Sequence, residues 1–292
     1  MRIWDSAPEQ TLTLLGRARG GFADATWVGP TRIAAAAPDG VRIYSTATRT
    51  LVRTLPVRGV RELAFDHGRL YGIAHGQIVD VLRNGSPVYA HATTLAVAGS
   101  RIMAGNGTRV FGHGRTFTVP GGVDRLALSS DRRLLATADA DGTVRIFDVD
   151  RGTLLHVLHG HHGPVTDVAF SGDGKLLVSS GRDTRAILWN LASGRRRVLS
   201  GTFGTVSAVA LSPDGRWVVT AGPISAGLWP ASTGRLQFYL RGDTAALTAV
   251  AFSPDGGTIL SASKDGTVRT YACTICGTLP ALERVAERRL RG

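Results

Sequence analysis

A short turn motif recurs at a nearly constant interval in the second half of the chain. The segments FSGDG at 170–174, LSPDG at 211–215 and FSPDG at 252–256 are close copies, and LSSDR at 128–132 is a weaker one. The intervals between successive copies are 42, 41 and 41 residues. An apolar segment with an aromatic residue follows each copy, as in RIFD, ILWN, GLWP and VRTYA. This period predicts a series of equivalent structural units.

Each unit contains the pattern of four short β-strands. In the fifth unit, the segments VTDVAF, KLLVSS, TRAILWN and RRRVLS alternate between apolar and polar residues and are separated by SGDG, GRD and LASG. Asp followed by Gly supplies the side-chain hydrogen bond and the positive φ that a tight turn requires. No βαβ pattern occurs. A four-stranded unit of about 40 residues is typical of one blade of an all-β propeller.

The sequence also resembles a known family. The segment LHGHHGPVTDVAFSGDGKLLVSSGRDTRAILWN is similar to the WD-repeat consensus almost position by position. The resemblance covers residues 2–278, and it is strong over 123–273 and weak over 60–121. Sets of strands begin near residues 23, 60, 93, 123, 164, 205 and 246, which predicts a single seven-bladed β-propeller of four-stranded antiparallel blades.

The seventh unit lacks an obvious fourth strand. We expect residues 11–18 to supply it and so to close the ring, because an open array would leave sheet edges exposed. Helical spacing of apolar residues predicts a short helix at 279–290. The expected organisation is one domain over 1–292, with blades at 22–58, 59–92, 93–121, 122–163, 164–204, 205–245 and 246–278.

The resemblance implies a role for one histidine. In WD repeats a His, a Ser or Thr, an Asp and a Trp form a buried hydrogen-bonded tetrad, and the matching residues here are His161, Ser179, Asp183 and Trp189. Such a network satisfies several buried polar groups at once. The sixth unit keeps only Trp229. Partial tetrads without the histidine are expected at Thr137, Asp141 and Phe147 and at Ser261, Asp265 and Tyr271.

Two catalytic alternatives concern the same histidine-rich segment. Ser, His and Asp together could form a hydrolase triad, but no G-x-S-x-G segment is present. His159, His161 and His162 could bind zinc, but no carboxylate or thiol at ligand spacing joins them. A hydrolase or lyase site would also need convergent polar groups in the central channel, and we expect no such set. The sequence therefore favours a protein that is not an enzyme and that has no cofactor and no metal.

Cys273 and Cys276 are the only cysteines of the chain. As a redox pair they should begin a helix in a βαβ fold, and as zinc ligands they lack a second pair. We expect them to pack as small apolar thiols at the end of the ring. Two cysteines make no disulfide framework, and the N-terminus has no signal-peptide pattern, so we expect a cytoplasmic protein that does not enter a membrane.

The chain carries a net charge of +12, which raises the alternative of nucleic-acid binding. Of the 34 basic residues, 32 are arginines, and they are scattered along the sequence. The clusters are Arg195, Arg196 and Arg197, and Arg288, Arg289 and Arg291. Basic composition without a localised stripe is weak evidence for a nucleic-acid surface.

The sequence favours a monomeric scaffold or sensor domain that binds protein partners. The ending CTICGTLPALERVAERRL resembles the terminus of C-terminal propellers in bacterial multidomain signalling NTPases and regulators. That resemblance implies a larger signalling protein whose sensor end is this chain. From their positions in the repeats, the candidate partner-binding residues are Arg182, Lys264, Ala140, Asp167, Ser207 and Thr248.

Overall fold

The computed structural model describes residues 12–202, 204–273 and 276. The strands form seven four-stranded antiparallel sheets, and each sheet is one blade. Blade 1 contains β2 (Asp24–Trp27), β3 (Arg32–Ala37), β4 (Gly40–Ser45) and β5 (Thr50–Leu55); blade 2 contains β6 (Val60–Asp66), β7 (Arg69–Ala74), β8 (Gln77–Asp80) and β9 (Ser86–Ala90); blade 3 contains β10 (Thr94–Ala98), β11 (Arg101–Asn106), β12 (Arg109–Gly112) and β13 (Arg115–Thr118).

The remaining blades carry the clearest repeats. Blade 4 contains β14 (Val123–Leu128), β15 (Leu134–Asp139), β16 (Thr143–Asp148) and β17 (Thr153–His159); blade 5 contains β18 (Val165–Phe170), β19 (Leu176–Gly181), β20 (Ala186–Asn190) and β21 (Arg196–Val198); blade 6 contains β22 (Ala208–Leu211), β23 (Trp217–Ala221), β24 (Ala226–Pro230) and β25 (Phe238–Leu240); blade 7 contains β26 (Leu247–Phe252), β27 (Thr258–Ser263), β28 (Thr267–Ala272) and β1 (Leu12–Arg17). A 3-10 helix at Val81–Arg83 joins β8 to β9.

The first strand of each blade contacts the first strand of the next blade, so these strands line a central channel. The series closes because β26 of the last blade contacts β2 of the first. Strand β1 completes blade 7 by pairing with β28, and Leu12 lies opposite Tyr271 at one end of the pairing. The seven-bladed all-β architecture predicted from the sequence is confirmed. The predicted helix at 279–290 lies outside the described residues.

Gly16 in β1 lies against the ring of Tyr44 in β4 of the neighbouring blade. A Cβ added at Gly16 would lie 2.3 Å from Cε1 of Tyr44, well inside van der Waals contact. The closing strand is therefore packed against blade 1 as well as paired with blade 7, and a side chain at position 16 would force the buried Tyr44 ring to move.

The hydrophobic core lies between facing blades. One cluster joins Ala136 and Ile146 of blade 4 to Leu177, Ile187 and Trp189 of blade 5. The fifth blade thus buries one face of its sheet against the fourth, as alternation of apolar residues along each strand requires. Stability consequently depends on each blade having two neighbours, which the closed ring supplies.

Two sets of loops lie at opposite ends of the strands. We call the upper face the set that joins each fourth strand to the next first strand and each second strand to its third; it comprises 18–23, 38–39, 56–59, 75–76, 91–93, 107–108, 119–122, 140–142, 160–164, 182–185, 199–202, 204–207, 222–225, 241–246 and 264–266. The lower face carries the other turns of each blade. No helix in the described part of the chain is long and apolar enough to cross a membrane.

Candidate functional site

Four side chains of blade 5 form a continuous hydrogen-bonded chain. Nε1 of Trp189 lies 2.9 Å from Oγ of Ser179, and that Oγ lies 2.8 Å from Nε2 of His161. Nδ1 of His161 lies 3.0 Å from Oδ1 of Asp183. Asp183 also accepts the backbone N–H of His162 at 2.9 Å, so the carboxylate holds the loop before β18 to the turn after β19.

The hydrogen bonds that link these four side chains have one consistent direction of proton donation. Burial lowers the pKa of His161 despite the opposing effect of Asp183, so the imidazole is neutral near pH 7. A neutral imidazole donates from Nδ1 to Asp183 and accepts from the Ser179 hydroxyl, which in turn accepts from the Trp189 indole. Burial raises the pKa of Asp183, but the His162 N–H and the His161 imidazole outweigh it and hold that pKa below its usual value.

These distances match those of a Ser–His–Asp hydrolase triad, but the environment does not. The Ser179 side chain is fully buried, and its oxygen is already bonded to both His161 and the Trp189 indole. A catalytic serine must reach a substrate carbonyl beside an oxyanion hole. The arrangement in blade 5 therefore connects a loop to the sheet and leaves no accessible nucleophile.

The histidines do not form a metal site. The side chains of His159 and His162 are exposed, whereas the ring of His161 is engaged with Ser179 and Asp183. Within the described ranges, no group of three or more His, Cys, Asp or Glu side chains is arranged to hold a metal ion.

Blade 7 contains a different buried network at the equivalent place. Asp243 lies where blade 5 has His161, and its Oδ2 accepts hydrogen bonds from Ser261 and Tyr271, both at 3.1 Å. Its Oδ1 accepts from Thr267 at 3.3 Å and forms an ion pair with Arg269. Asp265, Ser261 and Tyr271 were expected from the sequence, whereas Asp243, Thr267 and Arg269 were missed.

Blade 4 shares part of that network. Arg145 pairs with Asp139 and, at 2.9 Å, with Asp141, while the Thr137 hydroxyl is buried without a hydrogen-bond partner among the described residues. Phe147 packs edge-on against Phe117 of blade 3 at 5.2 Å between ring centroids. The signal for both networks is the segment DGTVR, which occurs at 141–145 and again at 265–269.

Charged side chains do converge in the central channel, so the expectation that it holds no polar set is wrong. Glu62, Arg125 and Asp167 occupy the third position of their first strands, and Asp24 is the first residue of β2. Together they line a cavity of about 360 Å³. Arg125 Nη1 lies 2.9 Å from Oε2 of Glu62. Of these four residues, only Asp167 is predicted from the sequence as a candidate site residue. The missed signal is a charged residue at a strand position that blades 6 and 7 fill with alanine.

Each channel carboxylate also connects neighbouring blades. Asp24 accepts the backbone N–H groups of Ala25 and, across the blade boundary, Leu63, both at 2.8 Å. Asp167 accepts in the same way from Val209 of blade 6 at 3.0 Å. Glu62 accepts from Thr94 of blade 3 at 3.0 Å. These carboxylates therefore act as braces between first strands.

Burial dominates the titration of the two channel aspartates. It raises the pKa of Asp24 to about 7 and that of Asp167 to about 6, although Arg125 and the backbone N–H donors act in the opposite direction. Burial also acts against the charge of Arg125, but the neighbouring carboxylates outweigh it and raise its pKa above the usual value. The two aspartates thus stay protonated to a higher pH in the folded chain than they would in water.

In the structure, the six candidate partner-binding residues fall into two groups, one exposed and one directed inward. Arg182, Lys264 and Ala140 are exposed in upper-face turns. The other three point inward: the Ser207 hydroxyl donates to the Leu247 carbonyl at 2.7 Å, and the Thr248 hydroxyl donates to the Phe22 carbonyl at 2.9 Å. Like Asp167, these hydroxyls connect each blade to the next.

A basic groove lies on the lower face between blades 5 and 6. It encloses about 980 Å³ and is lined by four arginines, one half-buried indole and no carboxylate: Arg195, Arg196, Arg197, Arg216 and Trp217. Arg195 makes no side-chain hydrogen bond or ion pair with any described residue, whereas Arg197 donates to the Thr233 carbonyl at 3.1 Å. The scattered arginines therefore include one local cluster.

Cys273 and Cys276 are joined by a disulfide, so the expectation of free thiols is wrong. Both residues are buried in the core cluster of blades 6 and 7, beside Tyr271 and Phe252, as packing at the end of the ring requires. Their Cα atoms lie 5.2 Å apart, which is within the normal range for a disulfide. Cysteine usage therefore no longer supports a reducing compartment.

The fold and the blade-5 tetrad define a class of proteins, the WD-repeat propellers. Comparison with known families agrees: the WD domain, G-beta repeat family matches residues 108–148, 152–190, 194–225 and 234–271, just over half of the chain. The chain belongs to this family, whose propellers are generally non-catalytic scaffolds that bind other proteins.

Individual relatives match over shorter segments. WD repeat-containing protein 1 of Gallus gallus is 31% identical over 116 residues, which is 38% of this chain and 19% of the relative. Apoptotic protease-activating factor 1 of Homo sapiens is 42% identical over 76 residues, 23% of this chain and 6% of the relative. NACHT domain- and WD repeat-containing protein 1 of Mus musculus is 34% identical over 77 residues, 26% and 5% respectively. The chain thus spans less than a fifth of the length of these relatives.

Proposed function

We propose that this propeller is the partner-binding part of a bacterial signalling protein, that it acts as a monomer, and that its upper face holds the partner. The observation that carries the proposal is the difference between the polar groups at the start of the first strands and those in the upper-face turns. Ser207, Thr248 and Asp167 are hydrogen-bonded within the ring, whereas Arg182 and Lys264 extend into solvent from turns fixed by the sheet. A rigid frame with exposed loop side chains suits protein recognition.

The signalling context rests on relatives and on the resemblance of the C-terminal segment. One relative has a name that joins WD repeats to a NACHT domain, and the aligned segment is 5% of that protein. A propeller with no accessible nucleophile in its tetrad is suited to recognising a partner while another domain carries the activity.

Site-specific photo-crosslinking in cells tests which face binds. A photoreactive amino acid replaces Arg182 or Lys264 on the upper face, and matched variants carry it at Lys175 or Pro254, which are exposed in lower-face turns. We expect a discrete protein adduct from the upper-face variants that excess unlabelled chain competes away. Equal adducts from both faces, or competed adducts from the lower face alone, would contradict the proposal.

A second function is favoured by the basic groove. Four arginines and an indole around one cavity suit a nucleic acid, since guanidinium groups bind phosphates and an aromatic ring stacks on a base. Binding through this groove would place the partner on the lower face. The two proposals therefore predict opposite results for the photoreactive variants: adducts from Arg182 and Lys264 in the first case, and from Lys175 and Pro254 in the second.

A further inference from the structure

Blade 6 lacks the histidine and the aspartate of the tetrad; it keeps a hydroxyl at Thr220 as well as Trp229, so the expectation that Trp229 alone is retained is wrong. Thr202 lies where blade 5 has His161, and Thr220 is equivalent to Ser179. Counted between the last paired residues, Ala221 with Ala226 in blade 6 and Ser180 with Ala186 in blade 5, the turn of blade 6 is one residue shorter. It contains Pro223 and Ile224 but no aspartate. The groups that tie the loop to the sheet in blade 5 are therefore missing at this point of the ring.

The retained tryptophan has a different orientation. In blade 5 the Trp189 indole donates to Ser179, whereas in blade 6 the Trp229 indole donates to the Ser200 carbonyl at 3.0 Å. Gly227 permits this, because a Cβ at that position would lie 1.9 Å from the Trp229 ring. The indole therefore lies across Gly227 and makes no hydrogen bond with the Thr220 hydroxyl.

The result is a cavity of about 590 Å³ that opens on the upper face. We call it the blade-6 pocket; its lining includes Thr202, Val206, Thr220, Ile224, Trp229 and Arg241. Its wall is mainly apolar, and Ile224 at the turn is 65% exposed. A pocket of this size holds one large side chain together with parts of its neighbours.

Two polar groups of the pocket have no partner among the described residues. The Thr220 hydroxyl accepts and donates no hydrogen bond there, unlike Ser179 and Ser261 at the same position in blades 5 and 7. Arg241 is exposed and makes no ion pair. The carboxylate of Asp243 is bonded to Arg269 and to three hydroxyl groups, and it forms no ion pair with Arg241. The guanidinium at the mouth of the pocket is therefore not paired with a carboxylate of any described residue.

We propose that the blade-6 pocket binds an aromatic side chain from a partner protein, flanked in the partner's sequence by acidic residues. The ring fills the space that the tetrad leaves empty and packs on Trp229 and Ile224. A polar atom on its edge bonds the Thr220 hydroxyl, and a neighbouring carboxylate pairs with Arg241. This inference rests on the proposed function of the upper face and names the chemistry that the face recognises.

Peptide titration of the full chain tests the proposal. The probes are an acidic peptide with a central tyrosine, the same peptide with alanine instead, and a tyrosine peptide with lysines as flanking residues. Binding is followed by NMR of protein carrying fluorinated tryptophan, with the Trp229 resonance assigned from a Trp229→Phe variant. We expect the acidic tyrosine peptide to bind at least about tenfold more tightly than either control and to shift the Trp229 resonance.

Three variants distinguish the parts of the pocket. Thr220→Val retains the shape of the side chain but removes its hydroxyl, and we expect binding to weaken by about three- to tenfold. Arg241→Gln should weaken binding of the acidic tyrosine peptide by a similar factor. It should not change the binding of a tyrosine peptide with uncharged flanking residues. Arg53→Gln, an equal charge change at an exposed position of blade 1 outside the candidate binding face, serves as the control and should have little effect.

Three results would overturn the inference. Equal binding of the alanine peptide would mean that the face attracts acidic segments without using the pocket. An unchanged Trp229 resonance would place the peptide elsewhere. Equal affinity for a free aromatic carboxylate, such as phenylacetate, would indicate a small-molecule site. In each case the crosslinks from Arg182 and Lys264 still report separately on whether the upper face binds protein.

Discussion

Asp243 occupies in blade 7 the position that His161 occupies in blade 5, four residues before the leading apolar residue of the first strand. Both side chains bond a serine of the second strand, His161 to Ser179 at 2.8 Å and Asp243 to Ser261 at 3.1 Å. A neutral ring and a charged carboxylate thus perform one task in two blades. The carboxylate requires a buried cation, which Arg269 supplies.

Removing either group should destabilise the ring. We expect His161→Ala and Asp243→Asn each to lower the free energy of unfolding by about 2 to 4 kcal/mol, since each leaves buried partners unpaired. Urea denaturation measures the change. The exposed residues His162 and Asp124 provide controls, and His162→Ala and Asp124→Asn should each stay within about 0.5 kcal/mol of the original chain. If the control variants lose as much unfolding free energy, the loss does not come from the buried networks of His161 and Asp243.

The channel aspartates predict a particular pH dependence. Because folding raises the pKa of Asp24 to about 7 from the usual 3.8, its stabilising contribution is complete below about pH 4 and is lost as pH rises through 7. The original chain should therefore lose about 2 to 4 kcal/mol relative to Asp24→Asn between pH 4 and 8. Asp39→Asn should give a small difference of opposite sign, because a hydrogen bond from Arg42 lowers the pKa of the exposed Asp39. If the difference in unfolding free energy between the original chain and Asp24→Asn stays constant over the same pH range, the prediction is wrong.

Ring closure depends on the contact between Gly16 and Tyr44. Gly16→Ala inserts a methyl group into the Tyr44 ring, and we expect it to destabilise the chain by about 1 to 3 kcal/mol. Gly257→Ala is the matched control, because its Cβ would meet nothing closer than 3.6 Å. Thermal melting compares them. If Tyr44→Ala does not reduce the effect of Gly16→Ala, the contact is not the cause.

The disulfide gives a redox prediction. Closing so short a loop should contribute about 2 kcal/mol by restricting the unfolded chain. We therefore expect a mild reductant to lower the melting temperature of the original chain and to have no effect on the Cys276→Ser variant. Mass spectrometry after alkylation establishes which form is present. A melting temperature that is insensitive to a confirmed reduction would contradict the prediction.

The basic groove predicts a salt-dependent interaction. If it binds nucleic acid, Arg195→Glu with Arg216→Glu should weaken binding of a single-stranded oligonucleotide and reduce the slope of log affinity against log salt by about 1 to 2. Arg32→Glu with Arg53→Glu changes the same charge at exposed positions of blade 1. Fluorescence anisotropy measures both pairs. Equal weakening by the two pairs would indicate a general effect of net charge instead of a groove.

The repeat itself made the propeller and the blade-5 tetrad predictable. The sequence features that define a blade are local, because its turn residues and its alternating strands lie within about 40 residues of each other. In blade 3 these features are weak, yet the set of strands expected to begin near residue 93 begins with β10 at Thr94.

The channel set could not be predicted in the same way. Asp24 and Arg125 are far apart in sequence, and they influence each other only because the ring brings their first strands to one channel. The blade-6 pocket was missed for another reason: it arises from residues that are absent, and Gly227 has no side chain to mark the site. The disulfide follows from the path of the chain after β28, which spacing alone does not specify.

The antiparallel pairing of β1 with β28 also decides how the ring would respond to tension. Leu12 and Tyr271 lie opposite each other at the end of the pairing where the chain enters β1 and leaves β28. A pull on the two termini would therefore open this pair like a zipper, one rung after another, and would not shear all rungs together. We expect the propeller to yield at low force and from blade 7 first.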